Sequence, residues 1–223
     1  TQLAAFQAAY PSIPPPATER THCIAWSDWD TNAHVQASHN IRVDTNYYYW
    51  PPEWVANRPG YFTGSGMLMR FADVDGTMVD NYQSATQIPD ESGLSLPGAI
   101  DAMFDKALGL EGYYAAIDAN MHTTSAVHAG SDAIIASAQS RNIPVVSGRQ
   151  MAKWLDGRNA SRFGDIAWDG HVLSFSITAD AGARNLKGMV PRMSPVGALT
   201  GLTRGGAPIA IATETIKSVE YAV

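Results

Sequence analysis

Several groups of residues in this sequence have types and spacings that suit chemistry. Asp73-Val74-Asp75-Gly76-Thr77 follows the apolar-flanked run Met69-Arg70-Phe71-Ala72. An aspartate at a strand end can attack phosphorus, with the next aspartate as general acid/base and Mg²⁺ neutralising charge. The other parts of such a site would be Ser147, Lys153 and Asp165 or Asp169. Ser147 and Asp165 lie too close in sequence for the strand and helix that should separate them. A calcium loop of EF-hand type fails at Met78 and Val79. An Asp-rich turn after a strand is the plainer reading, and a Mg²⁺-dependent phosphatase is the least favoured of the functions weighed here.

The run Asp44-Thr45-Asn46-Tyr47-Tyr48-Tyr49-Trp50-Pro51-Pro52-Glu53-Trp54 mixes aromatic rings with amide and acid groups. Sugar rings stack on aromatic faces and hydrogen-bond to neighbouring polar groups, so Asn46, Tyr48 and Trp50, with Trp26, are candidate glycan contacts. Packing of alternate tyrosines in the core is the competing reading. Among the histidines, His122 ends an expected strand, where an imidazole is well placed as a general acid/base. His34 and His39 flank a short helix and read as solvated. No H-x-x-x-H or H-x-x-E-H spacing occurs, so spacing alone marks no metal site; His22 and Asp28 are the weak candidates. Asn81-Tyr82-Gln83, Gln87 and Asp90-Glu91-Ser92 read as a polar loop, leaning towards a cleft lining. There is no G-x-S-x-G, P-loop or G-x-G-x-x-G motif.

The elements that must position these groups follow from hydrophobic spacing. Strands are expected at 22–26, 41–50, 67–72, 113–121 and 143–146. Helices are expected over 1–10, 99–107, 129–141 and 148–155, with a short one at 33–38. Strand and helix alternate at βα spacing, which implies a parallel sheet covered on both faces or a β/α barrel. Beyond Trp168 short period-two runs are punctuated by Gly and Pro, as in a small antiparallel β module. The expected division is a β/α domain over 1–164 and a β-rich domain over 165–223.

Composition bounds the function. The 223 residues carry 15 Lys and Arg against 21 Asp and Glu, a net charge of -6. That leaves no basic footprint for nucleic acid. No apolar run reaches the ~18 residues of a membrane span. The single Cys23 rules out an internal disulfide framework and a thiolate zinc site. Low charge with many Ser, Thr, Asn, Gly and aromatic residues suggests an extracellular or periplasmic protein. Thr1-Gln2-Leu3 has neither an initiator Met nor a signal-peptide pattern, so a processed piece of a longer chain is expected.

Read in order, Arg20-Thr21-His22-Cys23-Ile24-Ala25-Trp26-Ser27-Asp28-Trp29, Ile41-Arg42-Val43-Asp44-Thr45-Asn46-Tyr47-Tyr48-Tyr49-Trp50-Pro51, Met69-Arg70-Phe71-Ala72-Asp73-Val74-Asp75-Gly76, Asn120-Met121-His122-Thr123 and Pro144-Val145-Val146-Ser147 form a series. It resembles secreted bacterial proteins related to polysaccharide deacetylases, over about residues 1–165. The resemblance implies an α/β fold, a distorted and here incomplete β/α barrel, followed by a small antiparallel β domain. It implies metal-dependent hydrolysis of acetyl groups on a polysaccharide. It makes His122 the proton donor to the leaving group, Arg20 the active-site arginine and Asp44 the carboxylate that orients either. Asp73, Asp75 and Gln87 join the substrate contacts. The family's metal is commonly zinc, held by one Asp and two His. Its Asp-Asp and H-x-x-x-H motifs are not in this sequence and would be supplied upstream. The alternative is a glycan-binding or self-assembling protein without catalysis, its open strand edges covered by other chains or copies of itself.

Overall fold

The computed structural model describes residues 2–21, 27–46, 65–90, 95–122 and 129–223. Helix α1 (Gln2–Ala9) buries no residue. Strand β1 (Thr18–Glu19), helix α2 (Thr31–Ser38) and strand β2 (Val43–Asp44) form a β-α-β unit in which the two strands are parallel. Strand β3 (Met69–Ala72) then turns back as β4 (Met78–Gln83), which lies parallel to β2 and gives a sheet of order β1-β2-β4-β3.

The chain leaves β4 through Ser84-Ala85 and continues as β5 (Thr86–Pro89). Helix α3 (Leu96–Leu108) follows, and β6 (Asp118–Asn120) returns parallel to β5. Residues 78–89 thus make one extended path whose first half pairs with β2 and whose second half pairs with β6. The sequence reading takes this stretch for loop. Burial alternates only at the start of β4 and β5 is buried throughout, and the buried side chains include Asn81, Thr86 and Gln87, so a polar interior hides the strand signal. Residues 113–117 and 143–146, expected as strand, are not. The Ile143 amide instead closes helix α4 (Ala129–Ser140) by bonding to the Ala138 carbonyl at 2.9 Å.

Two apolar clusters hold the elements. Ile88 of β5 packs on Ala99, Ile100, Met103 and Phe104 of α3 and Ala138 of α4. Val43, Leu68 and Tyr82 pack on Ala152 and Leu155 of helix α5 (Gly148–Ala160). Side chains alternate along a strand, so the neighbours of Val43 and Tyr82, Asp44 and Asn81, point to the other face, which α2 covers. The sheet therefore has an apolar face against α5 and a polar face against α2. Ser147 starts α5 with a reciprocal cap: its hydroxyl accepts the Gln150 amide, and the Gln150 side chain accepts the Ser147 amide at 2.8 Å. Arg42 reaches Asp156 of α5 and Asp80 of β4, tying helix to sheet.

After α5 the chain forms hairpins. Strand β7 (Arg162–Trp168) pairs with β8 (Leu173–Thr178), although Arg162-Phe163-Gly164 reads poorly as strand in sequence. Position 165 falls inside β7, at a bulge, with Asp165 at φ 50°. Strands β9 (Val190–Pro191), β10 (Met193–Ser194), β11 (Gly197–Ala198), β12 (Leu202–Arg204), β13 (Ala207–Ile209), β14 (Thr213–Ile216) and β15 (Val219–Ala222) complete the chain. They pair as β10-β11, β12-β13 and β14-β15-β9. Between 161 and 223 only Ala222 is buried. This hairpin array leans on the α/β part. The Lys217 amide bonds to the Gly112 carbonyl at 2.9 Å, and Trp154 Nε1 to the Arg184 carbonyl at 3.1 Å. Gly157 of α5 passes the 182–183 backbone so closely that a Cβ there would sit 2.4 Å from the Ala183 nitrogen. No helix among the described residues is long and apolar enough to cross a membrane.

The described strands pair in six small sheets. The strands expected at 22–26 and 47–50 lie outside the described residues, as do the candidates His22, Trp26, Tyr48 and Trp50.

Candidate functional site

Strand direction sets the site. β1, β2 and β4 run the same way, as do β5 and β6, so Arg20 and Asn46 follow the C-terminal ends of the first set and Asp90 and His122 follow those of the second. Strands β5 and β6 have distinct faces. Ile88, Ile117 and Ala119 meet helices α3 and α4. The alternate positions of β6, Asp118 and Asn120, point away from those helices, and His122 continues the same period of two. Gln87 of β5 is buried near the loop at Gly66. Gly66 sits at φ +66°, and a Cβ there would lie 2.1 Å from the Ala116 carbonyl and 2.6 Å from Gln87 Oε1. Only glycine lets the chain pass between them.

His122 is held by one carboxylate. Asp90 Oδ1 lies 2.8 Å from His122 Nδ1, and Asp90 Oδ2 accepts the His122 backbone amide at 2.8 Å. Two bonds from one side chain fix both the ring, through Nδ1, and its peptide. The Asp90 side chain is 14% exposed and that of His122 36%, so the ring is reachable while its partner is shielded.

Asp118 lies lower on the same face. Burial pushes its carboxyl up from 3.8 to about 6, and the positive charge of Arg20 pulls it part of the way back. Arg20 follows β1 and Asp118 opens β6, so this coupling brings the two ends of the strand series into one electrostatic environment. Asp118 Oδ2 and Asn120 Nδ2 are buried and have no hydrogen-bond partner among the described residues. Buried polar atoms of this kind are expensive unless a ligand or water meets them.

Asp44 is wholly buried and structural in its bonding. Its Oδ2 accepts from Gln36 at 2.5 Å, Asn46 at 2.9 Å and Asn32 at 3.3 Å, and its Oδ1 accepts the Asn46 amide at 2.8 Å. Asn46 also donates to Glu19 at 2.8 Å and accepts the Thr21 amide at 2.6 Å. Asp44 therefore joins β2 to α2 and to the end of β1. The carboxylate that orients His122 is Asp90, in place of the expected Asp44. Asp90 belonged to a stretch read as loop, and its signal in sequence would have been its place four residues after Thr86 on a strand parallel to Asp118-Ala119-Asn120.

Asp73 and Asp75 lie elsewhere. The D-x-D-G-T motif is the tight turn between β3 and the antiparallel β4, closed by the Asp73 amide on the Thr77 carbonyl at 2.8 Å. Asp75 Oδ1 accepts the Thr77 amide at 2.8 Å, which lowers the Asp75 pKa. Asp28 is committed to the first turn of α2. Its oxygens accept the Thr31 hydroxyl at 2.6 Å and the Thr31 and Asp30 amides, holding its carboxyl at about 2. With Asp28 and Asp44 so occupied, the described residues at the strand ends do not assemble the one-Asp, two-His set that the family resemblance implies.

No protein-family model, curated protein or solved structure matches this chain.

Proposed function

We propose that this is an extracellular carbohydrate-active protein that hydrolyses acyl groups, acetyl above all, on a polysaccharide. The observation that supports it is the row Asp118, Asn120 and His122 on the face of β6 turned away from α3 and α4, with the imidazole locked by Asp90 at the C-terminal end of parallel strands. Active sites of β/α folds gather at that end. In this reading a water molecule adds to the acyl carbon while Nε2 of His122 takes its proton, and the same nitrogen returns that proton to the oxygen or nitrogen whose bond to the acyl carbon then breaks; Asp90 keeps the ring in the required tautomer, and Arg20 supplies positive charge where negative charge develops. Asn120 offers its amide group to a sugar, whereas Asn46, a sugar contact expected from the sequence, is buried with its amide bonded to Asp44, Glu19 and Thr21. The described strand-end residues do not fit the family's metal, and no step here runs through one.

The test is acetate release from acetylated xylan and from chitin oligomers. The expected outcome is turnover that falls roughly 10²- to 10⁴-fold in His122→Gln and falls in Asp90→Asn, while oligosaccharide binding persists. Binding without acetate release in the unaltered protein would leave the glycan-binding alternative. Turnover indifferent to His122→Gln would sink the assignment.

A further inference from the structure

Away from the strand ends, three side chains from two segments far apart in sequence converge. Asp30 precedes α2, His34 lies on its first turns, and Asp73 is in the β3–β4 turn. One possible ligand atom from each lies within 4.8 Å of the other two. His34 Nε2 is 2.6 Å from Asp73 Oδ1, with the two side chains 52% and 31% exposed.

The placement of Asp30 is the informative part. It occupies the N-cap of α2, where an aspartate ordinarily accepts the first free amides of the helix. Its side chain makes no such bond. Asp28 takes the Thr31 amide instead, and the Asp30 carboxyl is turned to that of Asp73. Burial first, then the hydrogen bond to Asp73, then the charge of Asp28, raise its pKa. Asp73 in turn raises that of His34. Among the described residues no Lys or Arg forms an ion pair with Asp28, Asp30 or Asp73. Two carboxyls and an imidazole thus face one another with no other cation supplied.

We infer that Asp30, His34 and Asp73 form a binding site for a divalent transition-metal cation of the zinc class, which clips the start of α2 to the β3–β4 turn. The imidazole selects such ions over Ca²⁺ and Mg²⁺, which prefer all-oxygen shells. Zinc bonds of about 2.0–2.2 Å place tetrahedral ligand atoms about 3.4 Å apart. Rotation of the exposed His34 and half-buried Asp73 side chains, with opening of their hydrogen bond, reaches that spacing, and water completes the shell. The site is separate from the His122–Asp90 pair and does not rest on the function proposed above.

The experiment is calorimetric titration of the whole chain with Zn²⁺, with Ca²⁺ as a control, in a buffer that does not bind metal. One saturable equivalent of Zn²⁺ and none of Ca²⁺ is expected. His34→Gln and Asp73→Asn should each weaken it by about tenfold or more. Both residues are at the surface, and circular dichroism shows whether the variants keep the fold. His171→Gln, in the β7–β8 turn, should leave the titration unchanged. Absence of saturable binding overturns the site. Binding that survives both substitutions, or vanishes with His171, shows an adventitious ion on other histidines and overturns it equally.

Discussion

A carboxyl that titrates near neutrality couples chemistry to stability at Asp118. In the unfolded chain its pKa returns to the ordinary 3.8, against about 6 when folded. The folded state therefore holds the proton more tightly between these values. Stability is highest below about pH 4, falls as pH rises to about 6, and is constant in this respect above it. At about 1.4 kcal/mol per pH unit, the loss is roughly 3 kcal/mol at most. Asp118→Asn removes the ionisable group and keeps its shape. Urea unfolding should show the variant more stable than the parent at pH 8 and close to it at pH 4. An equal difference at both pH values would contradict this origin. The orphaned Oδ2 and Asn120 Nδ2 make the same point from geometry: these groups cost stability, as functional sites commonly do.

Between elements, polar groups do work that aliphatic side chains usually do. The face of the β1-β2-β4-β3 sheet towards α2 is joined by Glu19, Gln36, Asp44, Asn46 and Asn81. Asn81 Nδ2 donates to Gln36 Oε1 and to the Ile41 carbonyl, each at 2.9 Å. A buried network is stabilising only while its members are satisfied. Asp44→Ala leaves the Asn32 side-chain amide without its acceptor and strips one from Gln36 and Asn46, so a loss of about 2–3 kcal/mol is expected in chemical unfolding. Asp44→Asn, which retains one acceptor oxygen, should lose less. If alanine and asparagine cost the same, the network does not hinge on that carboxylate.

Across the molecule the packing is uneven. Both apolar clusters lie between residues 43 and 155. The hairpins after α5 expose Phe163, Ile166, Trp168 and Ile177 to between 51% and 67%, and bury only Ala222. Backbone pairing without a covered apolar face gives little local stability. Amide hydrogen exchange of the intact chain should therefore show 193–209 exchanging first and 78–89 with 96–108 last. Comparable protection of 193–209 would mean that its apolar side chains are covered in solution.

The helices were legible in the sequence because their apolar positions recur along one face: Ile100, Met103, Phe104 and Ala107 predict α3, and the helix expected over 148–155 begins α5. The position of His122 after a strand was equally readable. What sequence could not supply was partnership. His122 and Asp90 are 32 residues apart, and nothing local says that β5 and β6 run side by side. Asp44 and Asp90 both follow expected or plausible strand positions, and only the parallel pairing decides which of them meets the imidazole. Of the Asp30, His34 and Asp73 group, the sequence marked Asp73 and read His34 as solvated, and the convergence of the three depends on α2 crossing the sheet to the β3–β4 turn. Residue type and period are properties of a segment, whereas a site is a relation between segments, and that relation is set by which faces the two apolar clusters bring together.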